Sequence, residues 1–266
     1  MDTRFWGPSG WRLLHLITFA YNPKKDRASM AQFLETLPYV LPCKFCRSSL
    51  VIYYQELPYT EHLDSERSLS KWMWKIHGKV NAKLRGQGQT IPKDPSYSQV
   101  RQIYLDRLHY GCTRTDFPGW EFLFSIAENI HSNEPSTPIS GAPPLEELDT
   151  NDDLLLLRWN YLSQNRRQEK VCEFWSTLPL VLPFLEWRSA WIKHAEIFSC
   201  RTTAHIKSLW KLRCAFESEL DLVNRTKFRA LCNDLKIHRS GCATKRNART
   251  CRRLRKPTQK QNTRKR

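Results

Sequence analysis

Apolar positions recur every three to four residues through most of the first 110 residues, and turn-forming clusters break the pattern at intervals. Ser9 can cap a helix running through Trp11, Leu14, His15, Thr18 and Phe19, which Asn22-Pro23 stops. Residues 28–41 predict a second helix, bent or broken at Pro38. A third opens at Pro42, where proline suits the first helical position, and runs to about Leu57. Residues 66–85 carry a long amphipathic pattern. Gly86, Gly88, Pro92 and Pro95 mark a loop, and Ser98 to about His109 form a shorter helix. The fold class expected is all-α.

Composition sharpens this picture. The chain has 266 residues, enough for one large or two small domains, and only 9 Gly against 10 Trp, 12 Phe and 9 Tyr, which suits helices. No apolar run approaches the length of a membrane span. No N-terminal stretch joins a basic start to an apolar run and a cleavage site. The expectation is an intracellular chain with no signal peptide, no transmembrane segment and no membrane partner. Of the formal net charge of +17, 12 Lys/Arg and no acid lie in residues 239–266, leaving +5 for the first 238. Nine cysteines in a signal-free chain favour redox or metal chemistry over a secreted disulfide scaffold.

Two constellations carry candidate chemistry. In Pro42-Cys43-Lys44-Phe45-Cys46, two cysteines three apart near a helix start lie close enough to form a disulfide, and the positive helix end lowers thiol pKa. That suits a cycling dithiol. The same spacing also admits half of a zinc site, an inert disulfide, or two buried thiols. Zinc would need histidines to complete four ligands, because Cys112 is the only further cysteine before Cys172; no metal site is assigned. The second constellation is polar residues on apolar stripes. Gly7, Trp11 and His15 share one helix face, which reads either as core or as ligand-facing. Trp74, His77, Val80, Asn81 and Leu84 share another. A buried His/Asn pair there needs hydrogen-bond partners, which a flat heteroaromatic cofactor would supply; solvated polar residues at a helix end are the alternative.

WGPSGWRLLH, LPCKFC and IHGKVNAKL, in that order and at those distances over residues 4–110, resemble the Erv/ALR family of FAD-linked sulfhydryl oxidases. The resemblance implies a helical bundle over residues 1–112 that holds FAD beside the cysteine pair. It implies that Cys46 is the sulfur next to the flavin and Cys43 the sulfur that exchanges with incoming thiols. Gly7, Trp11 and His15 fall on the flavin-contacting helix, and His77, Val80, Asn81 and Lys83 on the adenine- and ribose-contacting one. Tyr54, Lys93 and Tyr104 come near the cofactor by approximate alignment. The implied activity passes electrons from protein dithiols through the pair to FAD and then to molecular oxygen, giving hydrogen peroxide. Two departures stand out. The usual His-Asn-x-Val-Asn reads His77-Gly78-Lys79-Val80-Asn81, and Cys112 stands without a companion for the family's additional disulfide.

Residues 132–153 are Pro/Ser/Gly-rich and then acidic, which reads as a linker. Beyond it the chain repeats itself. FLETLPYVLPCKFCRSSL (33–50) and FWSTLPLVLPFLEWRSAW (174–191) share nine of 18 positions, but Phe184 and Trp187 replace Cys43 and Cys46. A fainter echo sets Trp210-Lys211-Leu212 beside Trp74-Lys75-Ile76, with Arg213 for His77 and Glu217 for Asn81. Residues 145–237 therefore read as a degenerate second copy of the bundle, its flavin slot filled by bulky side chains and lying against the first as an internal pseudo-dimer. Because family domains usually pair, a homodimer is the alternative. Cys172, Cys200, Cys214 and Cys232 read as buried thiols. The basic tail, 238–266, is expected to be disordered and to bind nucleic acid or serve as a nuclear address; Cys242 and Cys251 within it could also ferry electrons. An active lobe fused to a degenerate one resembles the layout of oxidases of large DNA viruses, implying host cytoplasm, nucleus or virion. The competing account is a non-enzymatic basic adaptor for nucleic acid or virion components.

Overall fold

The computed structural model describes residues 1–129, 137–201, 205–223 and 226–239, and these are all-α: eleven α-helices and short 3-10 turns, with no strand among them. The first half contains α1 (Thr3–Phe19), α2 (Pro23–Val40), α3 (Lys44–Glu56), α4 (Glu66–Gly86) and α5 (Tyr97–Tyr110). After it come α6 (Trp120–Asn129), α7 (Asp153–Trp159), α8 (Gln164–Val181), α9 (Leu185–Lys193), α10 (His205–Glu219) and α11 (Phe228–His238).

Local chemistry explains most boundaries. Asn22 accepts from the Lys24 N–H with Pro23 opening α2, and Ser65 accepts from the Ser68 N–H at the head of α4. Ser96 and Gln99 form a capping box on α5. The start of α1 differs from expectation. Asp2, not Ser9, is its cap, and Pro8 lies inside the helix. Ser9 is instead buried and donates to the Pro118 carbonyl at 2.8 Å. Pro38 likewise sits within an α2 that runs on to Val40.

One apolar core runs through both halves, and two helix crossings join them. α2 lies along α8, with Phe33 and Phe174 rings 5.5 Å apart and Gln32 donating to Glu173 at 2.8 Å. In the repeated sequence, Phe33 matches Phe174 and Gln32 matches Glu173, so each pair joins equivalent positions. α1 crosses α6 in the same reciprocal way. Gly10 packs on Phe122, and Gly119 packs on Leu13 so closely that a Cβ there would fall 2.6 Å from the Leu13 side chain. Such i–j′ and j–i′ contacts mark an approximate two-fold relation. They also expose a short echo not evident in the sequence: Gly10-Trp11 corresponds to Gly119-Trp120.

Of the expected linker, residues 132–136 lie outside the described residues, and residues 137–152 do not hang free. The Ile139 N–H bonds to the Trp159 carbonyl, and Lys44 donates to Thr137 at 2.9 and 3.0 Å, so this stretch is held against α3 and α7. α7 itself packs on α3. At the far end of the chain, His238 stacks on Phe5 with ring centres 4.8 Å apart. The basic tail beyond residue 239, with Cys242 and Cys251, lies outside the described residues.

Candidate functional site

The cysteine pair sits where α2 gives way to α3. Cys43 is the N-cap of α3 rather than part of its first turn, so Pro42 lies outside the helix and not at its first position. The Cys43 carbonyl accepts the N–H groups of Cys46 and Arg47, each at 3.0 Å. Cys46 is therefore held in the first turn while the Cys43 side chain precedes it. Both are half-buried thiols at the positive end of a helix, where the thiolate is favoured.

α3 and α4 are bridged by side chains more than by close helix packing. The Lys83 ammonium donates to Ser49 Oγ at 2.5 Å, and the Tyr53 hydroxyl donates to the Lys79 carbonyl at 3.4 Å. Burial pushes the Tyr53 phenol up, and Glu56 and Cys46 add to the shift. Tyr54 faces the other way. Its hydroxyl donates to the Leu34 carbonyl at 2.9 Å and its ring packs on Tyr59 and Trp72.

On the other side of α4, rings converge. The Trp11 indole stacks on His77 with centres 4.0 Å apart and planes 9° from parallel. His15 Nε2 lies 3.1 Å from His77 Nδ1, and the Tyr104 ring stacks on His15 at 5.1 Å. Burial drives His15 down to about 3, with His77 pushing the same way. It drives His77 to about 4 although Asp94 opposes it. Both imidazoles are neutral at pH 7, so one nitrogen of the contact donates and the other accepts. His15 Nδ1 is left buried without a hydrogen-bond partner. One turn on from His77, the Asn81 amide donates to Asp94 at 2.6 Å, and Arg85 grips the same carboxylate. Val80 is half-buried on the same helix. Gly7 has open space where a side chain would stand, and Lys93 is exposed.

The structure thus gathers Trp11, His15, His77 and Tyr104 into one cluster and sets Asn81 beside it, with Lys83 reaching across to α3. Tyr54 packs half-buried against the core, and Lys93 lies at the surface. Two neighbours escaped the sequence reading. Tyr53, seven residues after Cys46, shares its helix face, a spacing that was available as a signal. Asp94 stands in a Pro-bounded loop, and nothing local connects it to Asn81.

The second half has a different interior. Trp187, in place of Cys46, is only 1% exposed and packs on Phe117, Phe184 and Phe216. Arg213, in place of His77, pairs with Glu217 at 3.0 Å and lies over the Trp120 ring. Trp120 Nε1 donates to Glu217 at 2.6 Å. The reading of four buried thiols is corrected here. Cys172 and Cys200 form a disulfide that ties α8 to the turn after α9, Cys214 is exposed and Cys232 half-buried. Cys112 is buried, and burial pushes its thiol up, with Glu186 adding to the shift. Among the described residues no cluster of His, Cys, Asp or Glu could hold a metal ion, and no helix is long and apolar enough to cross a membrane.

Residues 8–100 match the model of the Erv1 / Alr family. The chain is 32% identical over 87 residues to the mitochondrial FAD-linked sulfhydryl oxidase ERV1 of Saccharomyces cerevisiae, covering 32% of this chain and 45% of that protein. It is 34% identical over 85 residues to a probable FAD-linked sulfhydryl oxidase of Acanthamoeba polyphaga mimivirus, covering 30% and 59%. A putative FAD-linked sulfhydryl oxidase of Invertebrate iridescent virus 3 is 29% identical over 87 residues, covering 32% and 59%. The matched stretch spans about half the length of these relatives. No solved structure matches.

Proposed function

We infer, from the Erv1 / Alr family domain at residues 8–100, that the chain is an FAD-dependent thiol oxidase. The observation that carries this reading is the neutral His15–His77 pair stacked on Trp11, with His15 Nδ1 buried and unpartnered. An orphaned buried nitrogen is costly, and a flat cofactor carrying ring donors and acceptors relieves that cost. The residues fit such a group. Trp11, His15, His77 and Tyr104 offer ring faces, and Asn81 and Lys83 offer polar contacts on the α4 side. Gly78, in place of the family's asparagine, removes one of these contacts.

What FAD supplies when bound is two-electron acceptance from a dithiol and delivery to molecular oxygen, giving hydrogen peroxide. The chain's own residues do the thiol chemistry. A substrate thiolate attacks Cys43, forming a mixed disulfide as the Cys43–Cys46 bond breaks and its electron pair leaves on Cys46. A second substrate thiolate then attacks the mixed disulfide, releasing Cys43 and leaving the substrate oxidised. Cys43, outside the helix, suits the exchanging role; Cys46, inside the first turn beside Tyr53, suits the cofactor side.

The second half, by this reading, is a degenerate copy that begins near residue 113, since Trp120 matches Trp11 and takes part in its interior. It completes an internal pseudo-dimer and turns over no substrate. The test is oxygen uptake with dithiothreitol by the purified full chain. Thiol-dependent uptake that disappears in Cys46→Ala is expected; uptake that survives this change would overturn the assignment.

A further inference from the structure

Arg47 follows Cys46 in α3 and is buried, at 8% exposure. Its Nη1 donates to the Leu41 carbonyl at 2.8 Å and its Nη2 to Asn160 Oδ1 at 3.2 Å, while Nε is buried without a partner. Neither acceptor carries a charge. Burial pushes the guanidinium down to about 9 and Arg167 on α8 pushes the same way; the two groups that pull it back up are Cys43 and Cys46. A buried cation without a counter-charge is strongly disfavoured.

The second half holds the internal control. Arg188 occupies the matching position, and its Nε donates to the Leu182 carbonyl at 2.7 Å, the match of Leu41. Yet Arg188 also grips the Asp26 carboxylate at 2.8 and 3.3 Å. The position matching Asp26 is Arg167, a like charge. So the same arginine is neutralised by an acid where Phe184 and Trp187 replaced the sulfurs, and among the described residues pairs with no acid where the sulfurs remain.

We propose that Arg47 is a positioning residue for the redox pair: its uncompensated charge holds reduced Cys43 and Cys46 as thiolate, and Asn160, from α7's C-terminus, fixes the guanidinium in place. Among the described residues, the charged and titratable groups near the pair include Arg47, Arg167, the Met1 ammonium, which donates to the Pro42 carbonyl at 3.2 Å, and, one face along α3, Tyr53; the Lys44 ammonium turns to Thr137. Ionisation sends the thiol proton to solvent. The same charge stabilises Cys46 as the leaving thiolate when Cys43 is attacked, so the pair is easier to reduce. The inference takes its purpose from the oxidase reading, but its measurement needs no turnover.

The test is the pH dependence of iodoacetamide modification of the reduced full chain, read by mass on the peptide carrying Cys43 and Cys46. The native protein should show a thiolate midpoint below the free-cysteine value of about 8.5. Asn160→Asp sets a carboxylate against Arg47, as Asp26 stands against Arg188. Asn160 has φ 63°, a conformation that aspartate tolerates. It should raise the midpoint by about one unit or more, and Arg47→Met by at least as much. If Arg47→Met fails to fold, Asn160→Asp alone decides. An unmoved midpoint in folded Asn160→Asp would overturn the proposal. A midpoint that moves in a protein taking up no oxygen would refute the oxidase reading and leave the role of Arg47 standing.

Discussion

Set side by side, the two halves keep the same skeleton and spend their interiors differently. Each has a Leu-Pro helix leading to an arginine that returns to a leucine carbonyl, and each has a Gly-Trp pair, inside α1 and at the head of α6, packed across the same approximate axis. In the first half the interior keeps neutral imidazoles, an orphaned ring nitrogen and two thiols. In the second, Trp187 fills the sulfur position, Arg213 and Glu217 neutralise one another, and Arg188 takes Asp26. The lesson is that one skeleton accepts two kinds of interior: imidazoles and thiols where the cysteine pair remains, and rings with paired charges where it has been replaced.

The comparison can be broken most sharply at the sulfur positions. Cys43→Ser or Cys46→Ser should abolish dithiothreitol oxidation with little change in thermal midpoint, because both thiols are half-buried. Trp187→Ala, at the matching position, should do the reverse, costing about 3–5 kcal/mol of stability through the cavity it leaves, read by denaturant unfolding. Removing the second half's staple with Cys172→Ser opens a disulfide spanning 28 residues. A loss of about 2–4 kcal/mol is expected under non-reducing conditions, with flavin content per folded chain unchanged. Gly119→Ala should cost about 1–3 kcal/mol by wedging α6 from α1 at Leu13.

Acid should act on the first half through its imidazoles. His15 and His77 ionise far lower in the folded protein than the ordinary 6.5, near 3 and 4. The unfolded chain therefore binds protons first, and the stability held above pH 6.5 is lost as pH falls from there toward 3–4. Urea midpoints measured across that window should fall in the native protein and fall less in His15→Gln. The smallest effect belongs to Lys93→Ala, whose exposed side chain should leave flavin affinity within about twofold, the scale of an isolated surface change.

Much of this was legible beforehand because it is local. The 3.6-residue pattern of residues 66–85 and the shorter helix read from Ser98 to about His109 set α4 and α5 nearly to their observed ends, and the Leu-Pro repeat announced the second half. What failed was decided at long range. Ser9 resembled a helix cap, but Asp2 caps α1 from further out, and Ser9 is drawn to Pro118, 109 residues away. Cys172 and Cys200 gave no sign of pairing, since their meeting depends on how the turn after α9 returns to α8. α6 went unread: its match to α1 rests on little more than Gly-Trp, and its burial comes from both halves at once. Asp94 and Arg47 were invisible as site residues for the same reason, their partners being set by tertiary packing.

The most direct measurement is the amount of FAD carried by each purified chain, taken from its absorbance after denaturation and compared with protein mass. One FAD per chain, lost in Trp11→Ala and kept in Trp120→Phe, is the predicted result. A chain with no FAD, or with two, would contradict an account in which one half works and the other only supports it.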